Sequence, residues 1–272
     1  MTIAPGHTTP PTDASVASVT DASVASVADV FDPVFSRLER WVDLVESYAA
    51  RSGTIADRAQ FDFLVEKLVR AEFDDSNGCV IGAGFVSAPH FLGWHLAWWL
   101  GGRNAASQGQ PATGIRHLET VEDPLEESFR DYTALEWWRV PAQTGRRHIT
   151  GPYVDYLCTD EYTLTLTLPV YRDGSELIGV VGIDLSVDEI ERDLVPRLNA
   201  GAVAATVINA SGRVVVSADA HLATGALLRL PGLTELLSDR TLSITALGPD
   251  GAHSFQWCGR TGLAVVAGPL PS

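Results

Sequence analysis

Near residue 76 the apolar residues of this chain change their spacing, and the change separates what its two parts can become. From Val30 to about Arg51 they fall at Val30, Val34, Phe35, Leu38, Trp41, Val42, Val45 and Ala49, one face of a helix. Ser52-Gly53 stops that helix. Thr54 opens a second one, with Asp57 as a capping-box acid, and its stripe (Ile55, Ala59, Phe63, Leu64, Leu68, Ala71) runs to about Phe73. Beyond that point short apolar runs and alternation replace the helical period, so strands follow helices.

Cys79 to Val86 reads as a strand whose glycines allow close backbone approach. Leu92–Leu100 is aromatic-rich, and residues 113–119 read as a further strand. Pro124 to about Ala142 carries a helical pattern. Three strands follow at His148–Cys158, Tyr162–Tyr171 and Leu177–Leu185, the last two joined by an Asp173-Gly174 hairpin turn. Ser186 caps a helix from Val187 to about Leu194. A smaller unit then begins: strands at 205–209 and 213–217 flank Ala210-Ser211-Gly212, Leu222–Leu237 is mostly helical, and strands at 241–247, 252–258 and 262–268 finish the chain. The class is α+β with antiparallel sheets: an arm (1–28), helices (29–75), a larger module (76–198) and a smaller one (199–272). The arm carries a near-duplication, Asp13 to Val19 and Asp21 to Val27, whose period of eight gives a poor amphipathic face. It reads as disordered, with a helical tendency near its end.

Charge limits the partners. In 272 residues, 34 acids against 19 bases leave a formal net charge of -15, which disfavours nucleic acid and anionic membrane surfaces. No run of eighteen apolar residues is present to span a bilayer, and no secretory signal is visible. All but one of the 19 bases are Arg, Lys67 being the exception, a skew expected of GC-rich coding. Cys79, Cys158 and Cys258 stand far apart with no CxxC pair, which suits a reducing cytoplasm.

Motifs for chemistry are few. No Gly-x-Ser-x-Gly, His-Glu-x-x-His or phosphate-binding Gly-rich loop occurs, and His90 and His95 are five apart, off a common helix face, so neither a metal nor a cofactor is expected. The dense segment is 129–184. Tyr153 and Asp155 share a face of a strand. Asp184 ends the otherwise apolar run Val180-Val181-Gly182-Ile183, where it is either a cap for the next helix or a buried anion that needs a cation. Trp137 and Trp138 point about 100° apart on a helix, so one of them belongs to the core. Rings interleaved with carboxylates are what a site for an ammonium group requires.

These residues resemble a known family. Tyr132, Trp137-Trp138, Gly151-Pro152-Tyr153-Val154-Asp155, Thr167 to Tyr171 and Ile178 to Leu185 are similar to the Cache sensor domains of bacterial chemoreceptors and sensor kinases. Val207 to Val215 looks like the start of a second Cache or PAS-like module. The resemblance implies the double-Cache (dCache) layout, a long N-terminal helix followed by two PAS-like antiparallel-sheet modules, with the ligand in the first. Carried over from the amino-acid-binding members, it assigns a site to Tyr132, Trp137, Trp138, Tyr153, Asp155 and Asp184. The arginine that meets a ligand carboxylate in those members falls on Leu135; Arg139 or Arg130 could reach in from a neighbouring position, although spacing favours neither. The ammonium half of the site is thus kept and the carboxylate half lost, so the expected ligand is a small cation: an amine, a quaternary ammonium or an amino-acid derivative. Ten acids against two arginines between residues 150 and 195 agree. The expected whole is a cytoplasmic sensor that pairs as a homodimer through its long helix and signals through a separate protein. An enzyme with Asp155 or Asp184 as general base, and a pure interaction module, are the alternatives.

Overall fold

The computed structural model describes residues 13–51, 57–75, 78–101, 114–154, 162–201, 203–239, 245–247 and 252–268. They form two compact units: Asp29–Arg192 with Arg260–Gly262, and the residues up to Ala28 with Asp193–Gly259 and Leu263–Ser272.

The larger unit is built on one six-stranded antiparallel sheet. Its strands are β1 (Val80–Ser87), β2 (Leu96–Leu100), β3 (Arg116–His117), β4 (His148–Val154), β5 (Tyr162–Arg172) and β6 (Glu176–Ser186), in the order β3-β2-β1-β6-β5-β4. The β5–β6 hairpin turns on residues 173–175, between the paired Arg172 and Glu176, with Asp173 and Gly174 both at positive φ (51° and 71°). Alternation decides which face each side chain meets. On β5, Leu164 and Leu166 fill one face while Thr163, Thr165 and Thr167 line the other, all of them buried. Register then sets Thr165 beside Asp184 on β6, and Asp184 beside Gly82 on β1.

Helix α1 spans Asp13–Arg51 and α2 spans Arg58–Asp75. Within the larger unit α1 buries Phe31, Phe35, Leu38, Trp41 and Val45, and its Arg37 pairs with Glu72 of α2 at 2.5 Å. Two expectations change here. The duplicated segment is not a disordered arm from residue 13 onward, since α1 begins at Asp13. Its buried face is Val16, Thr20, Ser23 and Val27, helical spacing in which two of four positions are small and polar. That face is closed by hydrogen bonds: Thr20 Oγ1 donates to Val16 O at 2.9 Å and lies 2.7 Å from Ser254 Oγ. Helix α2, in turn, buries Phe61, Val65, Val69 and Glu72, whereas Phe63 of the expected stripe is 58% exposed under Lys67 Nζ. Phe61 meets Phe85 of β1 edge-on with ring centroids 4.9 Å apart. The expected start of α2 at Thr54 lies outside the described residues.

The expected helix over 124–142 is also shorter. Residues 124–128 are turns and a bend, Tyr132–Ala134 is one 3-10 turn, and only α3 (Glu136–Thr144) is α-helical. Acids explain the breaks, because Asp123 and Asp131 side chains accept hydrogen bonds from Leu125 N (2.9 Å) and Thr133 N (2.8 Å) in competition with the helix. After β6, α4 (Val187–Leu198) runs past its expected end and takes Pro196 into its last turn.

The second unit carries β7 (Ala205–Ile208), β8 (Val214–Ser217), β9 (Thr245–Leu247), β10 (His253–Trp257) and β11 (Ala264–Ala267), ordered β8-β7-β11-β10-β9 and antiparallel throughout. Its core packs Leu228, Leu230, Leu233 and Leu236 against Phe255, Val214 and Val266. Of the helix expected over 222–237, only Leu233–Ser238 is helical. Among the described residues no helix is long and apolar enough to cross a membrane.

Candidate functional site

The threonine face of the first sheet opens into a cavity of about 250 Å³. Its floor is made possible by glycine. On β1 and β6, Gly82 and Gly182 leave space that the Trp98 indole uses: a Cβ on Gly82 would stand 2.9 Å from Trp98 Nε1, and one on Gly182 would stand 3.2 Å from Trp98 Cη2. Beside the indole lies Asp184, 3% exposed. Thr165 Oγ1 donates to Asp184 Oδ1 at 2.6 Å, and the Tyr153 hydroxyl lies 2.7 Å from the same Thr165 oxygen. A hydroxyl has one proton. Because Thr165 gives its own to Asp184, Tyr153 must donate to Thr165, and the chain of bonds runs one way, from the cavity wall to the carboxylate.

Aromatic rings form the opposite side. Tyr132 is buried, and its hydroxyl donates to Ser87 O at 2.6 Å. Burial, then the neighbouring Glu122 and Asp131 carboxylates, push its pKa well above the ordinary phenol value, so it stays neutral. Trp94 meets Tyr132 edge-on at 5.2 Å, and Trp137 lies nearly parallel to it at 6.2 Å. Leu118, Glu119, Thr120 and Val121 complete the wall.

That wall is anchored from outside the cavity. Glu122 is held by Arg58 of α2 and by His95 Nδ1 at 3.1 Å, while His95 Nε2 lies 2.7 Å from Asp62 Oδ1. His95 is thus a buried tie between α2 and the segment that follows β3. The neighbouring His117, edge-on to Trp99 at 4.9 Å, has its pKa lowered by burial and by His95, with Asp62 and Glu119 opposing.

Four of the six expected site residues, Tyr132, Trp137, Tyr153 and Asp184, line this one cavity. Trp138 does not. It packs edge-on against Tyr132 at 5.4 Å in the core with Leu100 and Val180, as the 100° step between adjacent helix positions demands of one of the pair. Asp155 lies outside the described residues. Leu135 is partly buried against the same core. Among the lining residues that the sequence reading did not expect are Trp94 and Trp98, which an aromatic-rich segment does not single out, and Thr165; Arg130, which it named as able to reach in, lines the cavity as well. Spacing argued against Arg130, yet the break in helix between 124 and 136 carries it to the cavity.

Comparison with known proteins bears on the fold. Residues 116–192 match the family model of the methyl-accepting chemotaxis protein-like first PDC sensor domain. Among solved structures, the sensory domain of the Campylobacter jejuni chemoreceptor Tlp3 with isoleucine bound is 11% identical, with 94% of this chain and 91% of that one covered at a TM-score of 0.57. The ligand-binding domain of the Pseudomonas fluorescens chemoreceptor CtaA, in complex with L-isoleucine, is 14% identical over 93% of this chain and 90% of that one, at 0.54. A methyl-accepting chemotaxis protein X is 18% identical over 94% and 98%, at 0.54. The fold is therefore the one shared by these sensory domains, a long helix and two antiparallel sheets. One curated protein, the citrate (Re)-synthase of Syntrophus aciditrophicus, is 29% identical over 63 residues, and the match spans 10% of that enzyme. The sensory domains, by contrast, are matched over nearly their whole length.

Proposed function

We propose that this chain, which has the fold of chemoreceptor sensory domains, is a ligand-binding sensor module whose first sheet holds a small molecule by a cationic end. One observation carries the reading: the Asp184 carboxylate, 3% exposed, at the end of a one-way chain of hydrogen bonds in an aromatic-walled cavity. An ammonium group there meets a carboxylate and ring faces together, each ring contact contributing on the order of 0.5–2 kcal/mol. Signalling passes to a separate protein, and α1 supplies the contact of a homodimer. The cytoplasm is the compartment proposed for this chain, since the three cysteines of the sequence stand far apart with no CxxC pair.

A thermal-shift screen of amines, betaines, amino acids and simple carboxylates tests it, on the natural chain and on Asp184→Asn. At 100 times its Kd a ligand stabilises by about 2.7 kcal/mol, a readily measured rise in Tm. The expected hits carry an ammonium or quaternary nitrogen and lose their effect in Asp184→Asn. Hits confined to carboxylates without a cationic nitrogen, or undiminished in the variant, sink the reading. Turnover of a bound amine marks the enzyme alternative, and silence to every compound marks a pure interaction module.

A further inference from the structure

The two ring nitrogens of His95 face opposite demands. The residue immediately precedes β2 and is 3% exposed. Nε2 lies 2.7 Å from Asp62 Oδ1, and a carboxylate only accepts, so Nε2 carries a hydrogen. Nδ1 has two neighbours of opposite kind. Arg58 Nη2 can only donate to it, whereas Glu122 Oε1, 3.1 Å away, can only accept from it. One nitrogen cannot serve both. With a single ring proton, on Nε2, Nδ1 accepts from Arg58. With a second proton, Nδ1 donates to Glu122 and Arg58 must withdraw from it. Titratable and charged groups face the ring from three elements: Arg58 and Asp62 from α2, Glu122 from the segment after β3, and His117 of β3, whose ring lies nearly parallel at 6.5 Å with Glu119 near it. Two carboxylates and one guanidinium touch His95, so its second proton makes that group of four neutral.

We propose that His95 is a proton-operated latch on the cavity: its second proton moves Nδ1 from Arg58 to Glu122 and ties the cavity wall to α2 through the buried ring. Glu122 directly follows residues 118–121, which line the cavity. While the ring holds one proton, Glu122 is held by Arg58, and the two side chains are 37% and 44% exposed, a setting in which ion pairs hold weakly. The second proton adds a charge-assisted bond from a buried donor that Asp62 braces on its other side. His95 does not line the cavity. It is a positioning residue that acts on the wall through Glu122, whatever molecule the cavity takes. Helix α2 is joined in turn to α1 by the Arg37–Glu72 pair, so the latch stands between the cavity wall and the long helix.

The full chain carrying His117→Gln, labelled with nitrogen-15 at histidine, tests the latch without the titration of His117. Long-range proton–nitrogen NMR spectra distinguish the ring states, and replacing the other histidines in turn assigns the His95 signals. Between about pH 8 and 5 the ring should pass from a bare Nδ1 with a protonated Nε2 to protons on both nitrogens. Over the same range amide hydrogen exchange at residues 118–122, corrected for its intrinsic dependence on pH, should slow about tenfold or more, the worth of a hydrogen bond to a charged group. Glu122→Gln should lose that gain, because its side chain offers the imidazolium no charge. Glu122 is partly exposed, so this variant should fold, and an unchanged Tm at the upper pH checks it. Arg58→Gln should exchange faster at the upper pH, where Arg58 alone holds Glu122, and should keep the gain in acid. A ring that stays in one state throughout, a second proton without slower exchange, or slowing that survives Glu122→Gln overturns the latch and leaves His95 a packing residue.

Discussion

Gly82 shows how closely the site is fitted at the scale of one residue. A Cβ there would stand 2.8 Å from Asp184 Oδ2 and 2.9 Å from Trp98 Nε1. Neither neighbour can yield freely: Asp184 is tied to Thr165, and the indole is a rigid ring in a buried core. Gly82→Ala should therefore cost about 1–3 kcal/mol in urea unfolding, the usual range for overpacking, and should lower the affinity for any cation that rests on Asp184. Wild-type unfolding together with unchanged binding would contradict this. Asp184 was legible as an acid in an apolar strand, and Tyr153 by its resemblance. Trp98 was not, because an aromatic in an apolar run has the same pattern whether it fills a core or floors a cavity. Spacing disfavoured Arg130 for a different reason. Its place depends on where a helix breaks, and side chains that compete with the backbone decide that.

At the scale of elements, strands were easier to read than helix ends. The alternation Tyr162-Thr163-Leu164-Thr165-Leu166-Thr167 can satisfy only a strand with one polar and one apolar face. The first turns of α1 were opaque because Thr20 and Ser23 occupy buried positions, so a search for apolar periodicity finds no face. Their hydrogen bonds make the packing testable. Thr20 Oγ1 spends its proton on Val16 O, so Ser254 Oγ must be the donor across the 2.7 Å contact. Thr20→Val leaves that donor buried without its acceptor, at a cost of about 1–3 kcal/mol. Ser254→Ala removes the donor and leaves only a lone pair unfilled, a smaller loss. The double variant should recover part of the Thr20→Val penalty. Equal single losses that simply add would show that the two hydroxyls are not coupled.

Pairing across the whole molecule is where local patterns stop informing. The β5–β6 hairpin is visible in its turn residues, but the central pairing of β1 with β6 joins segments about a hundred positions apart, and only the finished sheet reveals it. The response to acid is likewise a property of the folded chain. Burial lowers the pKa of His117 from 6.5, the nearby His95 adds to that shift, and Asp62 of α2 and Glu119 oppose it. The folded state therefore resists a proton that the unfolded chain accepts. Stability is unaffected well above pH 6.5, falls as pH drops through 6.5, and stops falling on this account once the folded pKa is passed. Net charge works the other way, since acidification toward the isoelectric point near 4.7 relieves the repulsion within a chain of charge -15. The two effects separate in a His117→Gln variant, which keeps the general charge response and lacks the specific one. Tm measured from pH 8 to 5 should fall by more in the natural chain than in the variant, with the divergence beginning near pH 6.5. Parallel curves would mean that His117 takes up its proton as readily in the folded protein as in the unfolded chain. Because His117 immediately precedes the Leu118–Val121 wall, the same titration should weaken ligand binding over the same range of pH.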